Sequence, residues 1–168
     1  MSLHRSRAPR LTPGLFQSAL EASRIDFKPR HRQPPSTALV VATAFSLLAS
    51  LLLDALMIVI GTAIFSSTKG YVHFRFSDYS RLTVIGVLLA CGAWPFVCRL
   101  SSQPRWLFFR AAILLSAVLF IPDLYLMIRG DPLKAVLVLF VMHVGIAVVT
   151  YNSLVHLAPV RPLRRREP

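Results

Sequence analysis

The stretch from Thr37 to Phe65 reads TALVVATAFSLLASLLLDALMIVIGTAIF and carries one ionisable residue, Asp54. A run this apolar is longer than the roughly 20 residues a helix needs to cross a bilayer, so it reads as a transmembrane helix. The acid near its middle is the strongest constraint in the chain. A carboxylate at the bilayer centre costs at least about 2.5–3.5 kcal/mol on insertion scales, so Asp54 should face protein or water rather than lipid.

The remaining sequence fits a membrane protein. The chain is 55% hydrophobic over 168 residues, with a mean hydropathy of +0.60, and the apolar residues are gathered in long runs. Its 19 Lys+Arg against 7 Asp+Glu lie in the two tails and in short loops beside apolar runs. That placement suits a membrane surface. It does not suit nucleic acid, since no folded basic domain and no interleaving of aromatics with basic residues is present. The two cysteines, Cys91 and Cys98, stand seven residues apart on one apolar run. Along a helix that is about 10 Å, too far for a bridge, so they read as packing residues.

Residues 1–36 form a basic tail in which TPGLFQSALEASRIDF has the signals of a short helix, with Thr12 as cap and Pro13 in the first turn. Two readings stand there: an amphipathic helix on an anionic leaflet, or a partly disordered tail. Pro29, Pro34 and Pro35 break any helix before the membrane. The tail does not read as a cleavable signal peptide, because the apolar run starts too late and runs too long.

The expected spans are about 37–65, 82–98, 106–128 and 133–157, which makes an all-α membrane protein, an antiparallel four-helix bundle. Between the first two, Val72, Phe74 and Phe76 alternate with Tyr71, His73 and Arg75, as in a short hairpin or an interfacial aromatic belt. Thr83, Gly86, Ala90 and Ala93 form an expected packing seam on the second span. Residues 158–168 form a second basic tail. Four spans put both termini on one side. That side carries seven Lys+Arg in the N-terminal tail, three around the second link and four in the C-terminal tail, against five on the other. The positive-inside rule then places both termini in the cytoplasm, with the chain in the cytoplasmic membrane. Arg30, Arg32, Arg99, Arg105, Arg164, Arg165 and Arg166 are the expected contacts to anionic lipids of the inner leaflet.

Measured from the outer boundary, Asp54 lies about 16 Å deep and His143 about 15 Å deep. Thr43, Ser46, Ser50, Asp54 and Gly61 share one side of the first helix; His143, Ala147, Thr150 and Tyr151 share one side of the fourth. Asp54 and His143 are therefore the candidate intramembrane pair, read either as glue between helices or as a proton-titrating or ligand site. Asp123, Ser50, Thr150 and Tyr151 would line an outer pathway or pocket. For Asp123 alone the simpler expectation is hydration, or pairing with a loop arginine near the surface.

The signatures of common soluble enzymes are absent: no G-x-S-x-G, Walker loop, H-E-x-x-H or dinucleotide fingerprint. No metal-spaced Cys/His cluster occurs, and no cofactor is expected.

The long first span, the paired middle helices and a histidine in the last span, VMHVGIAVV around His143, resemble a family of small four-span membrane proteins common in actinobacteria. The resemblance implies the bundle and no particular activity. The expected function is a non-enzymatic accessory or interaction subunit, a homo-oligomer or the companion of another membrane protein. Two alternatives stand beside it: a small proton-coupled transporter or channel component using Asp54 and His143, and a membrane-embedded enzyme or lipid-binding protein with an outward-opening pocket.

Overall fold

The computed structural model describes Ser18 and residues 31–162. The 12–27 segment read as a short helix lies outside the described residues but for Ser18, as do Arg30, Arg164, Arg165 and Arg166. Four long helices follow one another: α1 (Ser36–Ile64), α2 (Phe76–Leu100), α3 (Pro104–Ile128) and α4 (Leu133–Leu157). Each is long and apolar enough to span a membrane. Helices suit such runs because every backbone group is satisfied within the segment. The chain is a multi-pass, all-α membrane protein.

Proline and glycine set the boundaries. Pro35 and Pro132 directly precede α1 and α4, and Pro104 opens α3, the position where a missing N–H costs nothing. The α3–α4 turn closes as a Schellman motif. The Asp131 N–H donates to the Leu126 carbonyl at 3.1 Å and the Gly130 N–H to the Met127 carbonyl at 3.2 Å. Gly130 has φ 94°, the left-handed conformation this cap requires.

The second helix begins six residues earlier than its hydropathy suggested. Phe76 is already helical, and Asp78 sits in the first turn, where a carboxylate favours the positive end of the helix dipole. The alternation over 71–76 does not make a strand. Ser66–Thr68 and Val72–Phe74 form two short 3₁₀ turns, with Tyr71 meeting His73 and Phe74 edge-on at 5.3 and 5.2 Å. The packing face of α2 also differs from the expected one. Its buried residues are Thr83, Val87, Cys91, Trp94, Val97 and Cys98, while Ala93 is exposed and Gly86 and Ala90 are half-buried. Val87, Cys91 and Trp94, each one position along from Gly86, Ala90 and Ala93, fill the interface instead.

On α1 the buried face is Ala42, Ser46, Ser50, Asp54 and Gly61, repeating mainly every fourth residue. It packs along α4, the helix with the most buried residues, which also meets α2 and α3. Two glycines set how closely α1 and α4 approach: a Cβ on Gly61 would stand 2.6 Å from Val138, and one on Gly145 would stand 2.5 Å from Leu53. Toward the end where the described chain enters and leaves the bundle, Trp94 lies fully buried, edge-on to Phe108, and donates its Nε1–H to the Ala158 carbonyl at 2.9 Å. Beyond it, His31–Arg32 pairs antiparallel with Arg161–Pro162, so the chain enters and leaves the bundle side by side.

Gly61→Ala is expected to lower bundle stability by about 1–3 kcal/mol, because Val138 is β-branched and cannot rotate out of the way. Gly145→Ala should cost less, since the atom it meets is the flexible tip of Leu53. Thermal unfolding in detergent with Val138→Ala as second-site rescue checks this. Failure of the double variant to recover stability would contradict the close approach at Gly61.

Candidate functional site

Asp54 sits two-thirds of the way along α1 and is fully buried. Its Oδ2 accepts a hydrogen bond of 2.6 Å from the Thr83 hydroxyl of α2, itself 4% exposed. Its Oδ1 has no hydrogen-bond partner among the described residues. Tyr79 of α2 and His143 of α4 lie close enough to feel its charge. The direct partner of Asp54 is thus a threonine on the second helix, and not the histidine on the fourth.

His143 has a different partner. Its Nδ1 stands 2.8 Å from Asp123 Oδ2, joining α4 to α3. The expectation that Asp123 is hydrated, or paired with a loop arginine, does not hold. Asp123 is only 4% exposed and its carboxylate is engaged by the imidazole. The physical reason is local. Asp123 lies on the buried side of α3, where the neighbouring helix α4 offers a ring nitrogen at the same height. Phe120 meets both Phe140 and His143 edge-on, which walls one side of the pair.

The two acids therefore occupy one level of the bundle, with His143 of α4 near both. Gly61 faces Val138 and Gly145 faces Leu53, so each step forward on α1 is one step back on α4. By that register Asp54 falls level with Val144–Gly145, next to His143. Each carboxylate ties a pair of neighbouring helices, α1 to α2 and α3 to α4.

A buried polar line continues from Asp54 toward the terminal end. Ser50 and Ser46 follow on the same face, both fully buried, and Thr150 of α4 is 3% exposed. By the same register Thr150 falls level with Ala49, between the two serines. Ser50 and Thr150 have no hydrogen-bond partner for their hydroxyls among the described residues, and Ser46 has only the weak contact of a thiol. The Cys91 thiol of α2 lies beside Ser46 and Thr43. The contrast with other hydroxyls is informative. Serine and threonine in a helix usually bond back to the carbonyl four residues earlier. Thr43, Thr62 and Ser153 do so, at 2.7–2.8 Å. Ser46, Ser50 and Thr150 forgo that bond although they are more deeply buried than Thr43 or Thr62.

The magnitudes matter here. An unmade hydrogen bond at a buried polar atom costs about 1–3 kcal/mol. Four such atoms would together cost about 4–12 kcal/mol, comparable to the whole stability of a typical domain.

Tyr151, grouped by sequence with the outer pathway, lies at the other end of the bundle. It stacks on Phe108 at 6.0 Å and its hydroxyl donates to the Arg105 carbonyl at 3.4 Å. At that end Arg110 lies over the Trp106 ring at 3.6 Å, and Arg32, Arg99, Arg105 and Arg161 are all exposed. Among the described residues no group of three or more His, Cys, Asp or Glu could hold a metal ion. Thr83 is the site residue that sequence reading left in a packing seam. Its burial opposite Asp54 becomes visible only when the register of α1 against α2 is known.

At the opposite end, Tyr71 lies under the 65–75 turns near Asp131 and Asp123. Partial burial first, and then these two carboxylates, push its phenol above the usual value of 10.0. The folded state therefore favours the neutral ring. Stability from this group is fully present below about pH 10 and falls as pH rises beyond it. Tyr71→Phe is expected to remove that alkaline loss, which a pH series of unfolding midpoints reads directly.

No protein-family model matches the chain, and no curated protein or solved structure is significantly similar to it.

For the Asp54–Thr83 bond, a double-mutant cycle with Asp54→Leu and Thr83→Val is expected to give a coupling of about 1 kcal/mol, within the range of interhelical hydrogen bonds in membranes. Steric-trap or denaturation measurements supply the four stabilities. A coupling indistinguishable from zero would mean that the two side chains do not meet.

Proposed function

We propose that this chain is a non-enzymatic interaction subunit of the cytoplasmic membrane, with both termini on the cytoplasmic side. The observation that carries the reading is α3. It is 25 residues long, yet only Pro104, Phe108 and Asp123 are buried along it. Ile113, Leu114, Val118, Ile121 and Tyr125 stand 50–68% exposed. The helix is anchored to α4 by the Asp123–His143 pair and a few ring contacts, and most of its surface is left for other occupants. A span so lightly held within its own chain suits a helix that docks against a further membrane helix, from a second copy or a companion protein. In hydrocarbon such docking depends on close van der Waals packing, which a continuous apolar face allows.

The orientation rests on charge. The end where chain entry and exit pair carries Arg32, Arg99, Arg105, Arg110 and Arg161, together with the Trp106 ring. Basic residues with an indole at membrane depth suit an anionic inner leaflet. The other end mixes Lys69, Arg75, Arg81, Arg129 and Lys134 with Asp78 and Asp131. Kinship with small four-span proteins of actinobacteria, carried by the sequence around His143, belongs to the same proposal.

A second reading, a proton-coupled transporter component, is favoured by one specific observation. Asp54 and the Asp123–His143 pair stand at one level in the bundle, two titratable centres side by side. The groove beside the 65–75 turns, lined by Ile58, Thr62, Tyr71, Phe74 and Arg75, includes neither centre. The outward-pocket reading therefore has less support.

Cysteine placed at Leu114 or Ile121, in a chain with Cys91 and Cys98 replaced, is expected to cross-link to a neighbouring membrane protein or second copy in native membranes. Cysteine at Val59, on the outer face of α1, should give none. Equal labelling at all three positions with no cross-linked species would overturn the docking role of α3. A C-terminal reporter active only outside the cell would overturn the orientation.

A further inference from the structure

Where the described chain enters and leaves the bundle, a groove and a cluster of cations lie side by side. The groove encloses about 400 Å³ and is lined by His31, Gln103, Pro104, Arg105, Trp106 and Val160. That volume lies in the range of small-ligand sites. Arg105 stands exposed in its wall. Arg110, four residues beyond Trp106 on α3, holds its guanidinium 3.6 Å from the centre of the indole. Arg32 and Arg161 stand exposed on the short strand pair that carries His31. None of these arginines has a carboxylate partner among the described residues. The described carboxylates, Asp54, Asp78, Asp123 and Asp131, belong to the bundle interior or to its other end.

Guanidinium groups bind phosphate through paired N–H donors. His31 adds a ring nitrogen, Nδ1, that is buried and has no hydrogen-bond partner among the described residues. With its proton on Nδ1 the imidazole is a donor that an oxyanion can use. The rest of the wall is apolar: Pro104, Val160 and the Trp106 ring. Phe109 follows Trp106 at three residues, on the same side of α3, and is exposed. A free anion would use the cations alone, whereas a lipid would use both parts of the wall.

We propose that this groove binds one anionic glycerophospholipid, its phosphate against Arg105 and His31 and its glycerol and upper acyl chain against Trp106 and Phe109. The cations select the headgroup class. Choline balances its own phosphate, while an anionic headgroup leaves a net charge for Arg32, Arg110 and Arg161 to meet. The site deepens the reading of this end as cytoplasmic, and only the choice of leaflet rests on that reading.

Tryptophan fluorescence of the full chain in phosphatidylcholine nanodiscs tests this, with acyl-brominated phosphatidylglycerol as the quencher. Trp106→Phe identifies the quenched emission, because Trp94 is fully buried. Quenching should saturate at a low fraction of brominated phosphatidylglycerol. Brominated phosphatidylcholine should quench only in proportion to its fraction. Arg105→Gln should raise the half-saturating fraction by about tenfold, the usual scale for a charged hydrogen bond. The Arg105 side chain is exposed, so this variant should fold, which unchanged Trp94 emission verifies. Arg99→Gln removes the same charge at the same end outside the groove and should leave the fraction nearly unchanged. Equal shifts from the two variants would reduce the effect to diffuse attraction and overturn the site. So would quenching that never saturates, or displacement of the lipid by an equal concentration of inorganic phosphate. Nanodiscs expose both leaflets, so failure here would leave the orientation standing, and a reversed orientation would leave the site standing.

Discussion

A carboxylate placed inside a 29-residue apolar helix must find donors within the protein, and the rest of the bundle is arranged around that requirement. Asp54 fixes which face of α1 turns inward. Ala42, Ser46, Ser50 and Gly61 share its face, so burying the acid buries the whole stripe. Thr83 then fixes the rotation of α2, since only one face of that helix brings a hydroxyl to Asp54. The antiparallel register that follows sets Ser46 beside Cys91 and carries Trp94 to the Ala158 carbonyl.

The second acid divides the bundle's labour. α4 lies against α1 through Gly61 and Gly145, and against α3 through His143, Phe140 and Tyr151. The α1–α4 contact is close and partly polar. The α3–α4 contact is a ladder of rings with one hydrogen-bonded rung, Asp123 to His143. This asymmetry explains why α3 leaves so much apolar surface exposed while α1, α2 and α4 share the buried polar line. In a bilayer the exposed faces carry no penalty, because lipid is as apolar as leucine.

Much of the architecture is legible in the sequence. Hydropathy marks all four spans, and the inward stripe of α1 can be read from the spacing of Ser46, Ser50 and Asp54. The similar depth of Asp54 and His143 also follows from counting residues. Partner choice is not legible, because a face has several neighbours in a four-helix ring. Thr83 resembles the small residues of a packing seam until the register of α2 is known, and Asp123 looks like an interfacial residue until α3 is rotated against α4. The early start of α2 was hidden for another reason: its first turn, Phe76–Ser80, is aromatic and polar, and hydropathy does not detect helix outside hydrocarbon.

The most direct test is solid-state NMR of the isotope-labelled chain in lipid bilayers, read at the Asp54 carboxyl carbon. The account predicts a cross-peak from that carbon to the Thr83 side chain and no magnetisation transfer to it from lipid acyl protons. Transfer from lipid acyl protons, with no Thr83 cross-peak, would contradict the buried, Thr83-bonded Asp54 on which this account depends.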